Sequence, residues 1–171
     1  MSHFLKQSFG SVVNGFLFFD SSATVKNYIV ETGTNWVKSV FITIPKTEIY
    51  MASITEVEVV AAFSRRRKGH TLSINDANTA INQFRSAFIK DFNTIEITPR
   101  IISSAVNLSD KHSLRGYDAM QLASALEIYS RLIMIGVDFN LTPFTFVSAD
   151  DELNSAALLE GLSVENPNNY P

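Results

Sequence analysis

A chain of 171 residues, 46% hydrophobic, 18% charged and with 13 Phe, has the size and composition of one globular domain with a dense core. A net charge of -3 gives no general attraction for nucleic acid, so such a partner would need a local basic patch or a bridging metal ion. The absence of Cys excludes disulfides, thiolate metal sites and a cysteine nucleophile, and three dispersed histidines (His3, His70, His112) leave carboxylate oxygens as the ligands of any bound metal, a donor set suited to Mg²⁺ or Mn²⁺.

Residues 1–14 are weakly patterned and read as an N-terminal extension. Phe16-Leu-Phe-Phe19 is a short continuous apolar run that ends at Asp20, the pattern of a buried parallel strand delivering a polar group at its C-terminal end. Ser21 and Ser22 are candidate N-caps of a helix carrying Ala23, Val25, Tyr28 and Ile29, ended by Glu31-Thr-Gly33. Trp36, Val37 and Val40 stand at helical spacing, Ile44-Pro45 breaks the chain, and Ile49–Ala52 reads as a second strand. Two overlapping capping boxes follow, Ser53-Ile-Thr-Glu56 and Thr55-Glu-Val-Glu58. One of the two glutamates caps the helix and leaves the other free; spacing alone does not say which.

That helix closes on Arg65-Arg-Arg-Lys68, either a charge-laced last turn that offsets the helix dipole or the basic patch an acidic protein needs to hold a phosphate backbone. Ser73 opens a helix with Ala77, Ala80, Ile81, Phe84 and Phe88 on one face. A short strand within 92–97 precedes Thr98-Pro99, an N-cap and N1 proline for a helix burying Ile101, Ile102, Ala105 and Leu108. Lys111, His112 and Arg115 form a second positive cluster before Leu114-Arg-Gly-Tyr-Asp-Ala-Met-Gln-Leu-Ala-Ser-Ala-Leu126. There Asp118 heads an apolar helix whose stripe runs Ala119, Leu122, Ala123, Leu126, Tyr129, Ile133 and which stops at Gly136. Thr145-Phe-Val147 repeats the first design: apolar strand, then Ser148-Ala149-Asp150, then a helix with Leu153, Ala156, Ala157 and Leu159 that stops at Gly161. Leu162–Val164 can form an edge strand, and 167–171 reads as a polar tail after a single domain spanning 15–166.

Strands alternating with helices predict a central parallel sheet flanked by helices on both faces, an α/β fold with three layers. Ligands of such sheets bind beyond the C-terminal strand ends, where Asp20 and Asp150 are placed, with Asp118 and Glu56 or Glu58 on the same rim. Carboxylates converging there repel one another unless a cation compensates, and a divalent ion held by them supports phosphodiester hydrolysis. No run reaches the roughly 18 apolar residues a membrane span needs, and no secretory leader pattern is present, so a soluble cytoplasmic protein is expected.

Four stretches, Phe18–Lys26, Ala52–Val59, Leu114–Leu126 and Phe146–Leu153, resemble in order and spacing the four acidic motifs of PIN-domain ribonucleases, above all VapC-type toxins of toxin–antitoxin pairs. The resemblance covers about residues 16 to 166. It implies a PIN-like fold and a site of Asp20, Glu58, Asp118 and Asp150 as catalytic and metal-holding acids, with Ser22 and Ser148 as supporting hydroxyls; Glu56 is left to the capping box. It also implies Mg²⁺ or Mn²⁺, single-stranded or structured RNA as substrate, homodimerisation and an antitoxin that occludes the crevice. Arg65, Arg66, Arg67, Lys68 and Arg115 are the candidate RNA-binding residues. Gln121 stands where many relatives carry His, and Ser148 where many carry Thr. The alternatives are a PIN-fold module that binds RNA or protein without cleaving, and an aspartyl-phosphate enzyme using Asp20; against the latter, Ser22 stands where a second acid is needed.

Overall fold

A computed structural model of the chain describes residues 15–43 and 47–170; the N-terminal extension and the Ile44-Pro45 break lie outside the described residues. Within them, five strands form one sheet: β1 (Phe16–Phe19), β2 (Glu48–Ala52), β3 (Asn93–Ile95), β4 (Phe144–Val147) and β5 (Ser163–Glu165). Their order is β3-β2-β1-β4-β5, and every neighbouring pair is parallel. Seven helices connect them: α1 (Ser21–Val25), α2 (Thr34–Phe41), α3 (Thr55–Lys68), α4 (Ile74–Lys90), α5 (Pro99–His112), α6 (Gly116–Met134) and α7 (Asp151–Leu159). This is the expected three-layer α/β/α arrangement.

The central strand β1 is wholly apolar and its neighbours β2 and β4 largely so because both sheet faces are covered, while the edge strands β3 and β5 carry Asn93, Thr94, Ser163 and Glu165; the two-residue side-chain period splits the apolar residues between two cores. Phe18, Ala52, Ile95, Phe144 and Phe146 face α5, α6 and α7, with the rings of Phe18 and Phe146 stacked at 5.7 Å. Leu17, Phe19, Ile49, Met51 and Val147 face α1 to α4, where Phe63 and Phe84 are fully buried. The chain first builds outward from β1 to β2 and β3, then crosses back to lay β4 on the other side of β1. The strand order therefore reverses between β1 and β4, the switch point at which parallel α/β sheets open a crevice.

Local expectations failed where tertiary contacts outweigh local pattern. Asp20 itself caps α1, accepting from the Ala23 amide at 2.9 Å, so Ser21 is the first helical residue rather than a cap. That helix ends at Val25, and Tyr28 and Ile29 follow in turns. Neither capping box forms: Ile54 is the N-cap of α3 with no side-chain bond, Glu56 pairs with Arg85 at 3.0 Å, and Thr55 is buried against Gln121. Ile102, Ile133 and Leu159 are exposed. Helix α6 lies between α5, the sheet and α7, so its buried arc takes in Gln121 to Ala125 entirely and then narrows onto Ile128 and Leu132. Residues 166–170 pack back on the domain: Pro167–Asn169 forms a 3-10 turn with Pro167 buried, and Tyr170 stacks on Trp36 at 5.1 Å.

Candidate active site

The register of β1 against β4 aligns Phe19 with Val147, and the next residue of each strand therefore brings Asp20 beside Ser148. Ser148 Oγ donates to Asp20 Oδ2 at 3.0 Å, Ser22 Oγ lies 2.9 Å from both carboxylate oxygens, and the Ala23 amide donates to Oδ1. The two hydroxyls also accept from the backbone: Ser22 from the Ala149 amide at 2.9 Å and Ser148 from the Asp150 amide at 3.1 Å. The network locks the start of α1 to the turn before α7. Asp20 is 3% exposed. Burial pushes its carboxyl up to about 7, against the opposing pull of these hydrogen bonds, with a smaller upward push from Glu58.

Glu58 lies in the first turn of α3 and points at α6, where Gln121 Nε2 donates to its Oε2. Gln121 is 1% exposed and also donates to Thr55 Oγ1 at 3.0 Å. A primary amide can serve both partners at once, which accounts for a buried polar residue inside an apolar helix. Partial burial raises the Glu58 carboxyl, Gln121 opposes that, and the Asp118 charge adds to it. Asp118, in the first turn of α6, is likewise raised by burial and then by Asp150, while Arg115 opposes the shift. Asp150 caps α7 through the Leu153 amide at 3.0 Å. The four carboxylates form a chain of electrostatic neighbours, Asp20 to Glu58 to Asp118 to Asp150, drawn from four distant segments.

The cations divide. Arg65 and Arg66 line a cleft of about 530 Å³ together with Ser22, Glu58, Tyr117 and Ala149. Arg67 bonds Asn78 at 3.0 Å and, with Lys68, borders a different hollow beside His70 and Ser73. The cluster expected around Asp118 also comes apart: Lys111 and His112 both bind Glu160, at 2.7 and 2.6 Å, and pull its carboxyl down, leaving Arg115 as the member that acts on Asp118. Sequence reasoning missed two features. Lys26, on the same cleft, is buried with its ammonium on Glu31 at 3.1 Å and the Thr32 carbonyl at 2.9 Å. Tyr117, immediately before Asp118, is 55% exposed at the cleft wall. The only local signals were an isolated Lys in an apolar stretch and an aromatic residue next to an acid.

The donor set suits a hard divalent cation: all four groups offer oxygen, and among the described residues none of the four makes a salt bridge with a basic side chain. Among the described residues no group of three acidic or histidine side chains is gathered around one point where an ion would sit.

A family model for the PIN domain matches residues 17–145, and the chain belongs to the PIN-domain family. It is 28% identical over 122 residues, 71% of its own length and 82% of theirs, to two Mycobacterium tuberculosis proteins, Ribonuclease VapC45 and Ribonuclease VapC49. Its fold is similar to that of M. tuberculosis VapC20, a sarcin–ricin loop cleaving toxin, with a TM-score of 0.56, 14% identity and coverage of 82% of this chain and 94% of that one. A toxin–antitoxin complex from Klebsiella pneumoniae matches with a TM-score of 0.54, 18% identity and coverage of 88% and 97%.

Proposed function

We propose that the chain is a metal-dependent endoribonuclease cleaving RNA phosphodiester bonds, the toxin half of a toxin–antitoxin pair acting in the cytoplasm. The observation that carries this is the run of four acidic side chains, Asp20, Glu58, Asp118 and Asp150, each an electrostatic neighbour of the next and none in a salt bridge among the described residues, at the switch point of a PIN-family sheet. Keeping them together costs stability, which a site that had lost its ion would have no reason to sustain. The ribonuclease names of the curated relatives supply the reaction class.

Asp20, Glu58, Asp118 and Asp150 are the oxygen ligands in this reading. Ser22 and Ser148 orient Asp20 by hydrogen bonds to its carboxylate, and Gln121 does the same for Glu58. Mg²⁺ or Mn²⁺ held there supplies activation of water and stabilisation of negative charge on a phosphoryl oxygen. An antitoxin and a second copy of the chain are the proposed protein partners, the former supported by the toxin–antitoxin complex among the structural neighbours. The test is cleavage of RNA by the purified protein in Mn²⁺ or Mg²⁺ against a chelator control. Asp118→Asn should lower the rate by roughly 10²-fold or more while leaving the circular dichroism unchanged. Wild-type cleavage that persists in EDTA, or an Asp118→Asn variant as active as wild type, rules the assigned chemistry out.

A further inference from the structure

Beyond the edge strand β5, residues 166–170 tie the turn that carries the fourth acid to α2. Glu165, the last residue of β5, accepts the Ser148 amide on its backbone carbonyl at 3.1 Å. Two asparagines of the segment then reach back with their side chains: Asn166 Nδ2 donates to Asp151 Oδ1 at 2.8 Å, and Asn168 Nδ2 to the Ala149 carbonyl at 3.2 Å. Ala149 and Asp151 flank Asp150 in the chain, so the acid is held from both sides. Asn166 Oδ1 also accepts the Asn168 amide at 2.9 Å, which closes the 3-10 turn and fixes the spacing of the two reaching side chains. The other end of the segment is anchored on α2. Pro167 is buried so close to Gly33 that a Cβ there would lie 2.4 Å from the Pro167 carbonyl oxygen. Tyr170 stacks on Trp36 with an interplanar angle of 7°, and its hydroxyl donates to Glu165 Oε2 at 2.8 Å.

The turn itself has little to hold it in place. Ala149 brings no polar side chain, and the backbone groups of Ser148 and Ala149 are satisfied from outside the turn: the Ser148 amide by Glu165, its carbonyl by Asn154 Nδ2 at 2.9 Å, the Ala149 amide by Ser22 Oγ at 2.9 Å and its carbonyl by Asn168. Asn168 thus grips the peptide between Ala149 and Asp150, whose N–H donates to Ser148 Oγ at 3.1 Å, the same hydroxyl that donates to Asp20. Resting on the ribonuclease reading for its catalytic consequence, we propose that residues 166–170 are a clasp that positions Asp150 and Ser148 against Asp20, with Asn166 and Asn168 as positioning residues and Pro167 and Tyr170 as their anchor. A tilt of that one peptide moves the fourth acid and disturbs a partner of the first together. Misplacing a reacting group by about 1 Å can cost on the order of 10²-fold in rate, so the clasp acts on the reaction without touching the substrate.

Amide hydrogen exchange on the metal-free full chain tests the clasp apart from any reaction. Tyr170→Ala and Asn168→Ala are each expected to speed exchange of the Ala149 and Asp150 amides about tenfold while leaving the β1 amides within about twofold of wild type. Tyr170→Trp, which keeps an aromatic ring on Trp36, should restore wild-type exchange, and Asn169→Ala, at an exposed neighbour, should change nothing. In Mn²⁺, Tyr170→Ala should lower kcat for RNA cleavage about tenfold with KM within about twofold, as misplaced groups do and lost binding does not. Equal acceleration at the turn and in β1 would make the segment a general contributor to stability, and unchanged exchange at Ala149 and Asp150 would make it a passive cover for Trp36; either result overturns the clasp. So does a Tyr170→Ala variant whose turn exchanges faster while its kcat stays that of the wild type. If exchange responds as expected but the wild type cleaves no RNA in Mn²⁺, the ribonuclease reading fails and the tie to the turn stands. If the wild type cleaves and the turn ignores both substitutions, the clasp fails and the reading stands.

Discussion

Replacing Asp20 by Asn should make the metal-free protein more stable at neutral pH, although the residue lies at the heart of the candidate site. Its carboxyl is held up to about 7 in the folded chain, against 3.8 for an unperturbed Asp, chiefly because it is buried. The folded form thus keeps its proton over a range in which the unfolded form has already lost it. Any stabilising effect of the protonated carboxyl is complete below about pH 4 and is lost as pH rises toward 7; above 7 the ionised group carries the full desolvation penalty. Three pKa units correspond to about 4 kcal/mol as an upper bound, and relaxation around the site reduces this to roughly 1–3 kcal/mol. Asn retains an acceptor for the Ala23 amide, and its NH₂ can donate to the Ser22 and Ser148 hydroxyls, so the cap survives the exchange. For a chain of this size the gain is a rise in Tm of about 3–10 °C. The assay is thermal unfolding of both proteins in EDTA between pH 5 and 8, where the difference should grow with pH and level off above 7. A variant less stable than wild type at pH 8, or a difference that ignores pH, would refute the picture of Asp20 as a destabilising charge retained for its chemistry.

Other perturbations follow from the same geometry. Saturating Mg²⁺ or Mn²⁺ should raise the Tm of the wild type, by about 2.7 kcal/mol of stability at a concentration of 100 Kd, and do so much less for Asp118→Asn; equal shifts in the two proteins would place the ion elsewhere. Gln121→Leu removes the donor shared by Glu58 and Thr55, and should lower RNA cleavage at least tenfold while costing about 1–3 kcal/mol of stability in chemical denaturation. Gly33→Ala should cost about 2 kcal/mol or more in the same assay, because Gly33 has φ 85° and a Cβ there would strike the Pro167 carbonyl. Phe63→Ala, in the core beneath α3, should cost about 3–5 kcal/mol and is the benchmark against which the site variants are read.

A good deal of this was legible in the chain itself. Short apolar runs ending in Asp20 and before Asp150, each followed by a helix, specify buried parallel strands because only a sheet covered on both faces has use for uninterrupted apolar residues. Thr98-Pro99 and Ser73 cap their helices as their local chemistry dictates, Thr98 Oγ1 accepting from the Ile101 amide at 3.3 Å and Ser73 Oγ from the Asp76 amide at 3.0 Å. The order and spacing of four acidic stretches pointed to one family, which the match over residues 17–145 bears out. The choice of Glu58 over Glu56 for the candidate site came with that resemblance; the structure turns Glu56 outward to Arg85 and Glu58 inward to Gln121.

What the chain alone left undecided is whatever depends on which distant groups meet. A capping box is only a possibility until its competitors are known: Glu56 of the box at Ser53 goes to Arg85, and Thr55 of the second box goes to a buried amide 66 residues away. A run of four cations reads as one patch in sequence, yet the 100° turn per residue of a helix sends Arg65 and Arg66 to the acidic cleft and Arg67 and Lys68 to another hollow. Local pattern determines strands, helices and their buried faces, because those follow from period and propensity. Partners for polar and charged groups are determined by the β1–β4 register and the packing of α3 against α1 and α6, because electrostatic and hydrogen-bond energies depend on distances that only the folded chain sets.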